Sequence, residues 1–489
     1  MNTFPRFFGG AALAALAIAA ACGGGSSPTP SPSPTPTPSP SPVIHTPGPT
    51  QAPPQTDYRL IYRQYSATED VIWAAAPTDP TRRQELARIQ HRDGFGVKAA
   101  LSPDGTLLTY LSLPDSAQSA DSSQAEAYVI DFKSDDQTPL KVAAGIDYNY
   151  TPLWSPDSRL LYMRQYAGPE FLAANVTIVR VRVAHHDDPS PTPTPVLSPG
   201  IAPPPPQDPV EVVLKDSVAH VLAFAPIGFA DDGKSMFFLQ EQGGTEGATL
   251  VGIFSPATTK EVDALHKLGD DAWYAAQAAN LQAANDAAAA GQPPPETTIT
   301  PAPTPTPNSR SVVQISDQAA FDASLSPDSH TLSYVSQAIN DSGEIHNLAY
   351  VADLVQATAK PLSVPGVEAG DFLRPAWFPD GRLTVSVLPS NGGPGEVVLM
   401  TLDGSDVTFL PQPVSGYDTP RAWAPDGTWL AVSHSSGSSL ANPGDGSLDL
   451  VPLTGQRLTV ITGADNAGAD TMVGWLKANA LPSPAPSGG

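Results

Sequence analysis

The chain of 489 residues has a single cysteine, Cys22, so no disulfide can form within it and a zinc site built from cysteines is excluded. Charge is scarce too: Asp, Glu, Lys and Arg make up 15% of the residues, and 25 basic against 49 acidic leave a formal net charge of -24. No basic run interrupts this acidity, which argues against a nucleic-acid partner, because a phosphate backbone needs clustered Lys and Arg. The apolar run from Ala11 to Ala21 falls short of the roughly 17–25 residues a membrane-spanning helix requires. Nucleophile elbows, zinc-binding helices, phosphate loops and calcium loops are missing in any credible context. Proline (56) and glycine (39) are abundant instead.

The amino terminus reads as an export signal over residues 1–21, with Arg6 ahead of the apolar run. Ala19, Ala20 and Ala21 directly before Cys22 resemble a bacterial lipobox, and Cys22 is the expected lipidation site. The tract PTPSPSPTPTPSPSP from Pro28 to Pro42 opens a Pro/Ser/Thr-rich stalk over residues 22–56. It cannot bury a core and favours extended polyproline conformation at about 3.1 Å per residue.

The rest of the chain repeats one phrase. It is clearest as PLWSPDSRLLYMR from Pro152, and it recurs from Ala99, Gly228, Ala323, Pro375 and Ala422. Each copy is a short apolar run, a Pro-Asp-Gly-type turn and a second apolar run, the pattern of a β-hairpin. The turn aspartates Asp104, Asp157, Asp232, Asp328, Asp380 and Asp426 stand 53, 75, 96, 52 and 46 residues apart. Two further apolar runs follow each hairpin, giving four strands per unit, as in a propeller blade. Runs from Tyr58, Asp70 and Gln84 supply three strands lacking a first, and TMVGWL from Thr471 is a first strand lacking three. Joined, the two ends make a seventh unit. The expected fold is therefore all-β: a seven-bladed β-propeller over residues 57–476, with six or eight blades as the alternatives. The long intervals are insertions at 185–208, read as disordered, and 256–309, read as an Ala-rich helix followed by a flexible tether; residues 477–489 are read as a disordered tail.

Local chemistry assigns the turn residues folding roles. Proline presets φ, aspartate bonds backbone amides two residues on, and glycine takes the left-handed position. Ser158 and Ser329 replace that glycine, which predicts strain there. Trp154, Trp377, Trp423 and Trp475 occupy equivalent places and are expected to pack between blades.

The phrase Pro-x-Trp-Ser-Pro-Asp, best kept at Pro152 to Asp157 and Pro375 to Asp380, resembles the WD-like propeller repeats of the TolB family. The resemblance implies an exported interaction scaffold. Propellers of prolyl oligopeptidase relatives are similar, but they are joined to a hydrolase domain, for which no stretch is left over here.

Two functional readings follow. The first is an exported lipoprotein, held to a membrane at the cell surface or in the periplasm through Cys22, expected to be monomeric and to bind a protein or an envelope polymer. The second is a channel-site lyase or hydrolase acting on a sugar or lactone with a metal held by carboxylates. No cofactor is expected on the first reading, and calcium is the ion weighed for the second. A candidate ligand collar, acidic and aromatic, stands where chain enters successive first strands, at Asp93, Asp147, Tyr148, Asp322, Asp371, Phe372, Tyr417, Asp418 and Asp470, and the second reading takes its metal-holding carboxylates from it. Such a collar suits a cation or a basic ligand.

Overall fold

The computed structural model describes residues 52–117, 124–134, 137–166, 176–184, 210–215, 221–229, 236–242, 249–254, 312–314, 320–339, 345–354, 356, 358–367, 370–390, 392–466 and 468–482. The chain divides into Met1–Thr46 and Pro47–Gly489, and every described residue belongs to the second unit. The export signal, Cys22, most of the stalk and both insertions lie outside the described residues.

Those residues form antiparallel sheets throughout. Strands β1 (Tyr58–Tyr65), β2 (Glu69–Ala76) and β3 (Asp79–Gln90) make a meander, and β29 (Met472–Lys477) from the far end of the chain pairs with β1, Leu60 opposite Trp475. Next come β4 (Lys98–Leu101), β5 (Leu107–Ser112), β6 (Gln124–Asp131) and β7 (Leu140–Asp147), then β8 (Leu153–Trp154), β9 (Leu160–Tyr166), β10 (Val176–Arg182) and β11 (Val210–Lys215). The sequence predicts two separate units here, whereas the structure joins them in one eight-stranded sheet. Strand β8 spans only two residues, so the end of β7 reaches past it, pairing Ile146 with Gln165.

Three more sheets follow in chain order. One holds β12 (Val221–Phe229), β13 (Met236–Gln242), β14 (Thr249–Phe254) and β15 (Val312–Gln314). The next holds β16 (Ala320–Leu325), β17 (Thr331–Ile339), β18 (Ile345–Asp353) and β19 (Thr358–Pro361). In the third, β20 (Gly370–Phe372) and β21 (Ala376–Trp377) share one edge of β22 (Leu383–Pro389), followed by β23 (Glu396–Met400) and β24 (Val407–Phe409). The last sheet is β25 (Tyr417–Trp423), β26 (Trp429–Ser435), β27 (Gly446–Pro452) and β28 (Leu458–Thr462).

Turn chemistry explains the hairpins. Asp104 Oδ1 accepts from the Ser102 hydroxyl at 2.6 Å and the Thr106 amide at 3.0 Å, and Asp157, Asp328, Asp380 and Asp426 accept the same amide two residues on. Ser158 and Ser329 sit at φ 62° and 60°, a conformation that costs an L-residue roughly 1–2 kcal/mol. Each hydroxyl offsets that strain by reaching the neighbouring unit: Ser158 Oγ accepts the Asp104 amide at 3.1 Å, and Ser329 Oγ donates to the Phe229 carbonyl at 2.8 Å.

The core lies between sheets, which is why middle strands such as β22 are buried along their whole length. One face of the sheet that unites the chain ends packs Ile61, Ile72 and Ala74 against Leu108, Tyr110 and Ile130. Its other face packs Leu60, Tyr62 and Ala75 against Trp429, Ala431, Leu448 and Leu450. Each such aliphatic side chain contributes about 1.5–3 kcal/mol by burial. The tryptophans bridge sheets as expected: Trp154, Trp377 and Trp475 Nε1 donate to the carbonyls of Ala100, Ser324 and Ala422, and Trp423 Nε1 to Thr384 Oγ1 at 2.7 Å. The leading strands consequently touch one after another: β29 with β4, β4 with β8, β8 with β12, β12 with β16, β16 with β21 and β21 with β25.

Two expected termini are corrected. Within the supposed stalk, the Pro54 carbonyl accepts from Trp429 Nε1 at 3.1 Å. Within the supposed tail, Lys477 pairs with Tyr58, Ala478–Ala480 form a 3₁₀ turn, and the Pro482 carbonyl accepts from Gln84 Nε2 at 2.9 Å. Short apolar and prolyl segments at both ends find docking surfaces that their composition does not announce.

Candidate functional site

The leading strands are irregular at matching places. In β16, Asp322 and Ala323 stand opposite one partner residue, between the pairs Phe321–Val335 and Ser324–Ser333, and Asp322 has φ 53°. Between β20 and β21, three residues centred on Arg374 face two on β22. In β25 the register slips between Pro420 and Ala422, leaving Arg421 as the extra residue, and β29 slips beside Val473. Each is a one-residue bulge, a device that bends a strand and re-aims the side chain it carries. Counted from the tryptophan position of each repeat, Lys98, Asp322 and Arg374 are all three residues upstream, with Arg421 two upstream.

These bulges gather charge. The Arg421 Nε donates to Ser433 Oγ at 2.7 Å. Its pKa is pushed down to about 10, first by burial and then by the like charge of Arg374, with Asp322 and Asp470 acting against the shift. Arg374 Nε is buried with no hydrogen-bond partner. Asp470 is already engaged, accepting from Lys98 Nζ at 2.7 Å, and Lys98 lies 5.4 Å above the Tyr148 ring. Arg374 and Arg421 thus stand at bulges of adjoining sheets, β21 meeting β25, and the charges of Asp322 and Asp470 bear on Arg421.

The nine residues of the expected collar do not form one ring of free acids. Asp418 has no exposed side-chain surface: its two oxygens accept from Arg457, and His434 Nδ1 lies 2.9 Å away. Burial pushes its pKa up, but the Arg457 and His434 hydrogen bonds prevail and hold it below the usual carboxylate range. Asp147, also buried, faces Arg164 Nε at 3.1 Å. Asp371 accepts the Asn347 amide at 2.8 Å, and His346 Nδ1 is 3.5 Å away, tying β20 to β18. Tyr148 donates to the Gly96 carbonyl, with burial raising its phenol pKa. Phe372 and Tyr417 pack into apolar clusters, and Asp93 is exposed in the turn after β3. Asp470 pairs with Lys98, and Asp322 is exposed at the β16 bulge; Lys98, Arg374 and Arg421 are charged residues of these leading strands that residue type alone did not single out. The signal available in the sequence was the offset from the tryptophan position, three residues for Lys98 and Arg374 and two for Arg421.

Another buried acid lies outside the collar. Asp70 Oδ2 accepts the Val97 amide at 2.6 Å, Arg63 stands 3.6 Å away and His91 3.4 Å away. Burial nonetheless raises its pKa beyond what these partners recover. Among the described residues no group of three or more His, Cys, Asp or Glu is placed to hold a metal ion.

No family model matches the chain, and no curated protein matches it. Several solved structures do. One of two prolyl endopeptidases is 14% identical with a TM-score of 0.47, over 85% of this chain and 49% of its own, so this chain spans about half of it. TolB from Acinetobacter baumannii is 14% identical with a TM-score of 0.36, over 83% of this chain and 81% of its own. The β-propeller domain of the Trilobed protease from Pyrococcus furiosus is 9% identical with a TM-score of 0.44, over 83% and 95%. At these values the likenesses carry no activity over to this chain, whose all-β architecture stands on its own strand pairing.

Proposed function

We propose that the chain is a closed seven-bladed propeller, held to a cell-envelope membrane by a lipid on Cys22, that binds a protein or an envelope polymer. The sheet uniting β29 with β1 to β3 serves as the closing blade, and the eight-stranded sheet counts as two blades. The stalk before Thr56 gives the propeller reach. The observation that carries the binding role is the charge borne along successive leading strands: Asp322, Arg374 and Arg421 at one-residue bulges that turn them off the ladder, and the Lys98–Asp470 ion pair. Such groups orient a ligand by charge, and the acids expected to hold a cation are largely spent on arginines and histidines.

Two measurements test this. Full-length protein should partition with membranes and Cys22→Ser should not; equal partition would remove the anchor. Purified full-length Cys22→Ser should bind isolated cell envelopes saturably, and binding no greater than that of a stalk-only peptide would end the scaffold reading.

A further inference from the structure

We infer that Asp70 and His91 form a one-proton latch on the connection between β3 and β4, closed while the pair holds a proton and released when it gives that proton up. The His91 ring lies between two acceptors. Its Nδ1 is 2.8 Å from the Arg92 carbonyl, and its Nε2 is 3.4 Å from Asp70 Oδ1. A neutral imidazole carries one N–H, so it can serve only one of them. The other contact then sets two lone pairs against each other, unless one more proton is present on the ring or on the carboxyl. Neither side chain has exposed surface, and neither Asp70 Oδ1 nor His91 Nε2 has another hydrogen-bond partner, so solvent cannot relieve that clash. Arg63 stands on the Oδ2 side, 3.6 Å away, and donates from Nη1 to the Val97 carbonyl at 2.6 Å.

The latch sits where one sheet passes the chain to the next. Asp70 Oδ2 accepts the Val97 amide at 2.6 Å, and Gly96 is seated so closely that a Cβ there would meet Arg63 Nη1 at 2.7 Å and Asp70 Oδ2 at 2.9 Å. The His91 ring stacks on Tyr65 at 5.8 Å, and Tyr148, arriving after β7, donates to the Gly96 carbonyl. Arg63, Tyr65 and Tyr148 are thus the titratable groups against the pair, with Asp93 and Asp465 bearing on Tyr65 and Asp470 on Tyr148. Of the nearest neighbours in sequence, Arg92 donates to the Asp115 carbonyl and Glu69 pairs with Arg88. Val97 leads directly into Lys98, whose ion pair with Asp470 lies on the leading-strand face, so release of the latch reaches that face. Burial raises the Asp70 pKa, which keeps the proton in place above the ordinary carboxylate range and gives it up as pH rises through the raised value.

Hydrogen exchange on the full chain tests the latch between about pH 5 and about pH 9, read as protection factors so that the intrinsic pH dependence of exchange cancels. Amides of residues 94–98 should lose protection roughly tenfold as pH rises, the equivalent of about one hydrogen bond, while β26 and β27 keep theirs. Asp70→Asn holds the latch shut without a titrating carboxyl: its carbonyl accepts the Val97 amide and its side-chain amide donates to His91 Nε2. In that variant the same residues should stay protected throughout. The inference is overturned if wild type shows no pH-dependent loss, if the loss spreads equally over β26 and β27, or if Asp70→Asn loses protection as wild type does. Failure of that variant to fold would overturn it as well, since the amide completes both hydrogen bonds.

Discussion

Replacing Asp418 by Asn should cost far more stability than replacing Asp70 by Asn, although both carboxylates are completely buried. Asp418 accepts from both Arg457 nitrogens and lies 2.9 Å from His434, joining β25, β26 and the segment leading into β28. Asparagine keeps one acceptor, loses the charge and leaves the half-buried Arg457 with Asp449, 3.2 Å away. Removing one partner of a buried pair costs about 3–5 kcal/mol. At Asp70 burial already outweighs the Arg63, Val97 and His91 contributions, so the ionised form is held at a loss. Asparagine can still accept the Val97 amide, and the substitution should cost about 1 kcal/mol or less. Urea unfolding at pH 7 reads both. The pH dependence separates them further. Asp418's folded pKa lies below its unfolded value of about 3.9, so its contribution is present above that pH and is lost as pH falls through the folded value. Asp70's lies above, so wild type gains relative to Asp70→Asn as pH falls through that raised value. An Asp418→Asn cost under about 1 kcal/mol, or an Asp70→Asn cost exceeding it, would refute this division of the buried acids.

The turns make further predictions. Ser158→Gly should be nearly neutral in thermal melts, because relief of the left-handed strain offsets the lost hydrogen bond to the Asp104 amide, whereas Ser158→Ala keeps the strain and should lose about 1–2 kcal/mol. Gly105→Ala should lose about 2–4 kcal/mol, since φ is 73° and the new Cβ would meet Leu476 Cδ1 at 1.9 Å, and a loss under about 0.5 kcal/mol would show that β29 yields easily.

The architecture was legible because each repeat writes its turn in residues whose backbone preferences are strong. Asp104, Asp157 and Asp380 accept the amides their position in the turn demands, and the tryptophans reach across to the neighbouring sheet. Even the pairing of chain ends could be read from fragments, since TMVGWL carries its tryptophan at the repeat position. The site was less legible for a physical reason. An aspartate that ends a strand looks the same in one sequence whether it faces solvent, as Asp93 does, or an arginine, as Asp147 does. Bulges are invisible to a pattern of alternating apolar residues, because one extra residue shifts the phase without changing composition. Arg374 and Arg421 therefore looked like ordinary polar positions until the register showed each carried on a bulge.

Closure through the chain ends is the claim on which the rest depends, and a disulfide tests it most directly. Tyr58 and Lys477 are directly opposite in the β1 and β29 ladder, where Cα separations of about 4.5–5.5 Å suit a disulfide. In a Cys22→Ser background, Tyr58→Cys/Lys477→Cys should oxidise to completion in the native protein. It should also raise the urea midpoint by an amount equivalent to as much as about 5 kcal/mol, since the loop closed is nearly the whole chain. Thiols that stay free under mild oxidation of the native protein would contradict the pairing and, with it, the closed ring.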